Sequence, residues 1–258
     1  MDRRVGAQLY TIKESTQTYE DFDKSMEKVS KMGYRQVQAS GLGITDGTKI
    51  RQICDKYGLE ITCTHRPFDN YVNNIEGEIE YHKQIGCSIA GLGAIPGCGK
   101  DLTEEKVMKF IAAMNTVYDK LAEAGITFAY HNHAFEFMKL NGKYIMDLMI
   151  EYGKFDFIID TYWLAFAGID SADYIKKLGK RVVCIHLKDI AMADPEKTMM
   201  ADVGYGNLKW EKILSVCEEV GVTYALVEKD DGVGDPFECL ERSYNYLKQN
   251  GSEWFDCE

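Results

Sequence analysis

Ionisable residues fall where short apolar runs stop. ITCTHRP stops at His65, FAYHNHAFEF at His131 to Glu136, FIIDTYW at Asp160, VCIHLKD at His186 and YALVEKDD at Glu228. Four of the five histidines stand at these stops; the fifth, His82, lies in the helical pattern EIEYHKQIG and reads as a surface or packing residue. Neutral imidazole mixed with carboxylate suits a borderline to hard divalent ion, and no thiol stands at these stops to favour a soft one. One Mn²⁺, Co²⁺, Zn²⁺ or Mg²⁺ is therefore expected. Such an ion polarises the carbonyl and adjacent hydroxyl of a bound sugar and lowers the cost of an enediolate. A base then has to move the α-proton. Glu228 can act as ligand and base, while Lys188 and Asp189 in HLKD can stabilise or shuttle charge. Lys188 is as well suited to an ion pair with Asp160 or Asp189.

These residues need a scaffold that brings strand ends together. Apolar runs alternate with amphipathic stretches along the chain, the pattern of parallel βα units. The strands are expected at Val5–Tyr10, Gln36–Ala39, Glu60–Thr64, Ser88–Gly93, Thr127–His131, Phe155–Asp160, Val182–His186 and Tyr224–Glu228. Helical spacing connects Phe22, Met26 and Val29 in Tyr19–Met32, and Val107, Ile111, Met114, Val117 and Leu121 in Glu104–Ala124. Thr103 reads as an N-cap followed by an acidic turn. Gly33, Gly58, Gly86, Gly125, Gly153, Gly179 and Gly221 read as left-handed helix ends, and Ala191–Gly206 as a loop before the last unit. Eight such units predict a closed (β/α)8 TIM barrel, one domain over residues 1–258, with its active site at the carboxyl ends of the strands. No GxGxxG follows the first strand, so a dinucleotide fold has no support.

Composition narrows the partner. The formal charge of −11 and pI near 5.0 disfavour nucleic acid and an anionic membrane face, leaving a small molecule. No apolar stretch has the length of a secretory signal or a membrane span, so a cytoplasmic enzyme is expected. The eight cysteines, Cys54, Cys63, Cys87, Cys98, Cys184, Cys217, Cys239 and Cys257, form no CxxC pair and read as reduced thiols.

The motifs YHNHAFEF (130–137), DTYWLAFAGID (160–170), HLKD (186–189), GYGNLKW (204–210) and VEKD (227–230), with looser matches at GAQLYT and THRPF, occur in one order. In this the chain resembles the xylose isomerase-like TIM barrel superfamily, specifically its sugar phosphate isomerase/epimerase group with inosose dehydratase-like relatives. The resemblance implies a barrel enzyme of carbohydrate metabolism, an isomerase or epimerase on a small carbohydrate substrate (a sugar or sugar phosphate), possible homo-oligomers, and metal ligands at Asp160, His186 and Glu228. The fourth ligand in relatives is a glutamate of an ENH motif. This chain reads His131–Asn132–His133, leaving His131, His133 or Glu136 for that role. Epimerases of the superfamily place two glutamates on opposite sides of the substrate. Replacing one by histidine brings a lyase, dehydrating an inosose or keto-sugar, close behind, with Glu228, His133, Lys188 and Glu136 as the catalytic candidates.

For the substrate, His65 and Arg66 could hold an oxyanion or a phosphate, with a structural ion pair as the plainer role for Arg66. Trp163, Tyr10, Phe68 and Phe135 could stack on a sugar ring or simply pack loops. Gly204 and Gly206 shape a loop in which Tyr205 stands where relatives carry an acid. A trinuclear-zinc endonuclease of the same barrel needs more ligands than the chain offers and a less acidic surface. A non-catalytic binding subunit would have little use for charged strand ends, which are costly to bury.

Overall fold

The computed structural model describes residues 4–230 and 234–251. Eight parallel strands form one sheet: β1 Arg4–Gln8, β2 Gln36–Ala39, β3 Glu60–Thr64, β4 Ile89–Leu92, β5 Thr127–His131, β6 Asp156–Asp160, β7 Val182–Leu187 and β8 Tyr224–Val227. The ladder runs β3-β2-β1-β8-β7-β6-β5-β4, so the sheet curls round to bring β3 back beside β4 in a nearly closed TIM barrel. The β3/β4 join is a seam rather than a ladder. Arg66 N donates to Gly91 O at 3.0 Å, as does the Tyr71 hydroxyl at 3.0 Å, and Gly91 N donates to Thr64 Oγ1 at 3.4 Å. Gly91 allows the approach, since a Cβ there would run into the carbonyl oxygen of Thr64.

The helices form for the reasons their spacing indicates. Tyr19–Met32 buries Phe22, Met26 and Val29, starts where Thr18 accepts from Asp21 N, and ends at Gly33 with φ 110°. Glu104–Glu123 buries Val107, Ile111, Met114, Val117 and Leu121 behind the Thr103 cap. Gly58, Gly86, Gly125 and Gly221 take positive φ as expected, whereas Gly179 has positive φ with ψ −130°, outside the left-handed helical conformation. Gly153 does not take positive φ at all: its φ is −83°. There the Arg181 guanidinium donates to the carbonyls of Ile150, Gly153 and Phe155, so charged donors satisfy the helix end and no left-handed turn is required.

Ala191–Gly206 is also more ordered than a loop. Asp189–Asp194 and Lys197–Ala201 pair as an antiparallel hairpin, with Pro195 and Glu196 at its tip. Of the cysteines, Cys54, Cys63, Cys87, Cys184, Cys217 and Cys239 are buried free thiols and Cys98 an exposed one; Cys257 lies outside the described residues. Among the described residues no helix is long and apolar enough to cross a membrane.

Strand alternation builds the site. Side chains two apart share a face, and Cys63, Ile89, Ala129, Ile158, Cys184 and Leu226 pack together as a buried apolar cluster. Two residues further along four of these strands stand His131, Asp160, His186 and Glu228. Register aligns them: Asp160 is opposite His186, and Ile158 opposite Cys184. One apolar layer thus becomes the floor of a polar one.

Candidate active site

His131, Asp160, His186 and Glu228 are all buried, and each offers one atom to a group lying within 4.8 Å of one another. Such a group could hold a metal ion. The fit can be tested on the histidines. His131 places Nδ1 3.1 Å from the Gly93 carbonyl, which can only accept, so Nδ1 carries a proton, and Nε2 faces Asp160 Oδ2 at 3.4 Å. Burial opposes a charge on His131, but the Asp160 contact outweighs it and raises the pKa. His186 places Nε2 2.7 Å from Gln38 Oε1, and its Nδ1 lies 2.8 Å from Glu228 Oε2. That second approach is short, yet Nδ1 makes no hydrogen bond of acceptable geometry. Imidazole nitrogens and carboxylate oxygens converging on one point call for a cation between them, a proton or a metal ion, and tying back the outer nitrogen is how metal-binding histidines are oriented.

The charge balance agrees. Lys188, 1% exposed, sits 3.6 Å from Asp160, 3.4 Å from Glu228 and 2.5 Å from Asp230. Three carboxylates against one ammonium leave a negative excess in a dry place. Burial opposes the Lys188 charge, but Glu228, Asp160 and Asp230 outweigh it and raise its pKa. Burial likewise opposes ionisation of Glu228 and Asp160, and Lys188 together with the neighbouring histidine holds each below the usual carboxylate range. Asp230 takes the remainder: burial and the Glu228 charge push it up to about 7.

Glu136 lies outside the cluster. It is fully buried, its two oxygens accept from the Tyr130 hydroxyl at 2.6 Å and from His133 N at 2.8 Å, and burial pushes its pKa up to about 7. His133 also stands apart from the four-residue group. Its ring stacks on Phe135 at 5.6 Å and leans on Trp163 at 5.2 Å, and burial lowers its pKa to about 3.

Above the cluster opens a cavity of about 430 Å³ lined by Tyr10, His65, Arg66, Phe68, His133 and Glu228 among others. The His65 ring is 4.9 Å from that of His131, and burial and the other histidines keep it well below its usual pKa. Arg66 reaches the lining but gives Nε and one terminal nitrogen to Glu78 at 2.9 Å each. Trp163 stands behind His133 rather than on the lining, and its amide donates to Asp160 Oδ1 at 3.0 Å, so Asp160 caps the helix Thr161–Phe166 that follows it. Asp189 turns away from Lys188. Its carboxylate accepts from Gly204 N, Gly206 N, Leu208 N and Trp210 Nε1, pinning the segment after the hairpin. Tyr205 is 62% exposed, leaning on Tyr246. His82 is a packing residue, bonded to Thr64 Oγ1 and the Glu78 carbonyl.

Sequence reasoning missed Gln38, Asp230 and Glu78. Alternation along β2 could have marked Gln38, two residues from Gln36 on the same face, and Asp230 was inside the quoted VEKD; Glu78 left no trace, because its partner Arg66 is 12 residues away, past the end of β3.

The profile of the family described as xylose isomerase-like TIM barrel matches residues 26–249. The chain belongs to that family. An inosose dehydratase of Clostridium perfringens is 25% identical over 206 residues, 72% of this chain and 68% of that protein. A solved sugar phosphate isomerase/epimerase from Parabacteroides distasonis superposes with a TM-score of 0.78 at 21% identity, over 96% of this chain and 94% of that one. The structure of an L-ribulose 3-epimerase gives a TM-score of 0.75 at 12% identity, over 98% of this chain and 96% of that one. The barrel is thus shared with proteins described as a sugar phosphate isomerase/epimerase, an L-ribulose 3-epimerase and an inosose dehydratase.

Proposed function

We propose that the whole chain works as one divalent-metal-dependent barrel enzyme, an isomerase acting on a small hydroxy-ketone or aldose by moving a proton through an enediolate. The observation that carries this reading is the inward-facing donor set of His131, Asp160, His186 and Glu228 beneath the cavity. These four would hold one Mn²⁺, Co²⁺, Zn²⁺ or Mg²⁺, His131 taking the place of the glutamate of relatives. When bound, the ion supplies Lewis-acid polarisation of a substrate carbonyl and its neighbouring hydroxyl.

The chain's own residues do the rest. Glu228 is kept ionised and takes the α-proton, returning it to the adjacent carbon, while the hydroxyl proton passes from the oxygen that becomes the carbonyl to the oxygen that was the carbonyl. Lys188 holds the Glu228 and Asp160 charges in place. The unpartnered His65 Nε2 and His133 Nδ1 bind substrate hydroxyls, while Tyr10 and Phe68 pack its apolar face and keep water out. Transfer between adjacent carbons on one face needs one base, whereas inversion of a centre needs a second base opposite. Glu136 is committed to Tyr130 and His133, which favours isomerisation over epimerisation. Calorimetric titration with Mn²⁺ or Co²⁺ is expected to show one ion per chain, lost in Asp160→Ala and Glu228→Ala. A wild-type protein without metal affinity ends the proposal.

A second reading, dehydration of an inosose or keto-sugar, draws on the histidines across from Glu228 and on the Clostridium relative. β-Elimination needs a base for the α-proton and an acid for the leaving hydroxyl. Deuterium uptake from D₂O without an unsaturated ketone counts against it.

A further inference from the structure

The cavity wall is poor in usable positive charge. Among the described residues its formally charged lining consists of Glu228, Asp230 and Arg66, besides the histidines. Arg66 is already neutralised: one edge of the guanidinium, Nε and a terminal nitrogen, is bidentate to Glu78, and the Tyr81 ring covers its face at 4.3 Å. The Glu78 side chain is only 3% exposed, so turning Arg66 toward a ligand would leave a buried charge uncompensated. Lys188 is off the lining and held by three carboxylates. Asp230, on the lining, keeps one oxygen on Lys188 while the other, Oδ1, has no partner. That oxygen can accept from a hydroxyl, and a carboxyl group offers a phosphate no positive charge.

We propose that the substrate is an uncharged polyhydroxy ketone or aldose bearing no phosphate, and that Asp230 and the Arg66–Glu78 pair set this preference. This rests on the reading of the cavity as a carbohydrate site. A phosphate ester would need an uncompensated guanidinium or ammonium of the kind that recognises phosphate, and the one guanidinium of this wall is already balanced by Glu78.

The test uses Mg²⁺-loaded protein whose metal stoichiometry has first been measured, so that loss of the metal reading is seen separately. Ketoses and inososes, each paired with its phosphate monoester, are screened for α-proton exchange in D₂O. The free compound is expected to exchange with kcat/KM roughly tenfold or more above its ester. An ester handled as well as or better than its parent overturns the proposal. Titration with inorganic phosphate, followed by ³¹P NMR, decides the matter if no pair reacts. Wild type is expected to show no saturation up to about 10 mM, and Glu78→Gln, which frees the guanidinium, or Asp230→Asn, should tighten binding roughly tenfold. Saturable phosphate binding by wild type that Arg66→Ala removes overturns the proposal, as does a failure of both variants to gain affinity.

Discussion

At the scale of residues, the site is a matter of which atom each side chain is allowed to present. Gly93 and Gln38 decide that His131 offers Nε2 and His186 offers Nδ1. Gln38→Leu keeps the volume and removes the acceptor, so Mn²⁺ affinity is expected to fall roughly 10- to 100-fold by calorimetry; unchanged affinity would contradict the role given to Gln38. Glu136 yields a prediction about pH. Its ordinary pKa is 4.5 and burial raises it to about 7 in the fold. Between those values the folded chain holds a proton that the unfolded chain has lost. The contribution is therefore complete below about 4.5 and disappears as pH rises to 7. Denaturant unfolding at pH 5, 6 and 7 should show this loss, and Glu136→Gln should flatten it; parallel pH profiles for the two proteins would refute the assignment.

At the scale of elements, the strands were legible because period and length left little choice. Each expected strand overlaps an observed one, and the ionisable residues after 129, 158, 184 and 226 were bound to share a face once those strands existed. The partners that orient them were less legible. Gln38, Gly93 and Glu78 reach their partners from other elements of the fold, a pairing that no local pattern encodes. Gly153 misled because a glycine after a helix has one usual meaning, and the distant Arg181 supplies another ending. The Asp189 hairpin was read as a loop because its second strand, KTMMA, carries only a short weak pattern ahead of the glycines. Gly91→Ala is the element-scale test. Its Cβ must displace the Thr64 carbonyl at the seam, costing about 1–3 kcal/mol in equilibrium unfolding; a neutral substitution would mean that the seam is looser than described.

At the scale of the whole molecule, the proposed ion is part of the fold's stability. It binds a constellation that exists only when four strand ends are assembled, so it favours the folded chain. At a free concentration about 100 times Kd the gain is about 2.7 kcal/mol, which for a chain of this size raises Tm by roughly 5–10 °C. Calorimetric melting with and without EDTA should show that shift, and Asp160→Ala should abolish it. Equal Tm values for metal-loaded and stripped protein would speak against the four-residue centre.

The seam has a kinetic side as well. A barrel with seven laddered joins and one stitched by Gly91, Thr64 and Tyr71 has a preferred place to breathe, and native-state amide exchange should be faster for Arg66 and Gly91 than for the paired amides of β7. The next turn of chain beyond β4 carries the Gly93 carbonyl that orients His131, so each opening of the stave would briefly release one imidazole from its tether. Uptake and escape of the ion would then be gated by a fluctuation of the barrel wall, with a rate that follows the opening of two strands rather than the width of the cavity mouth.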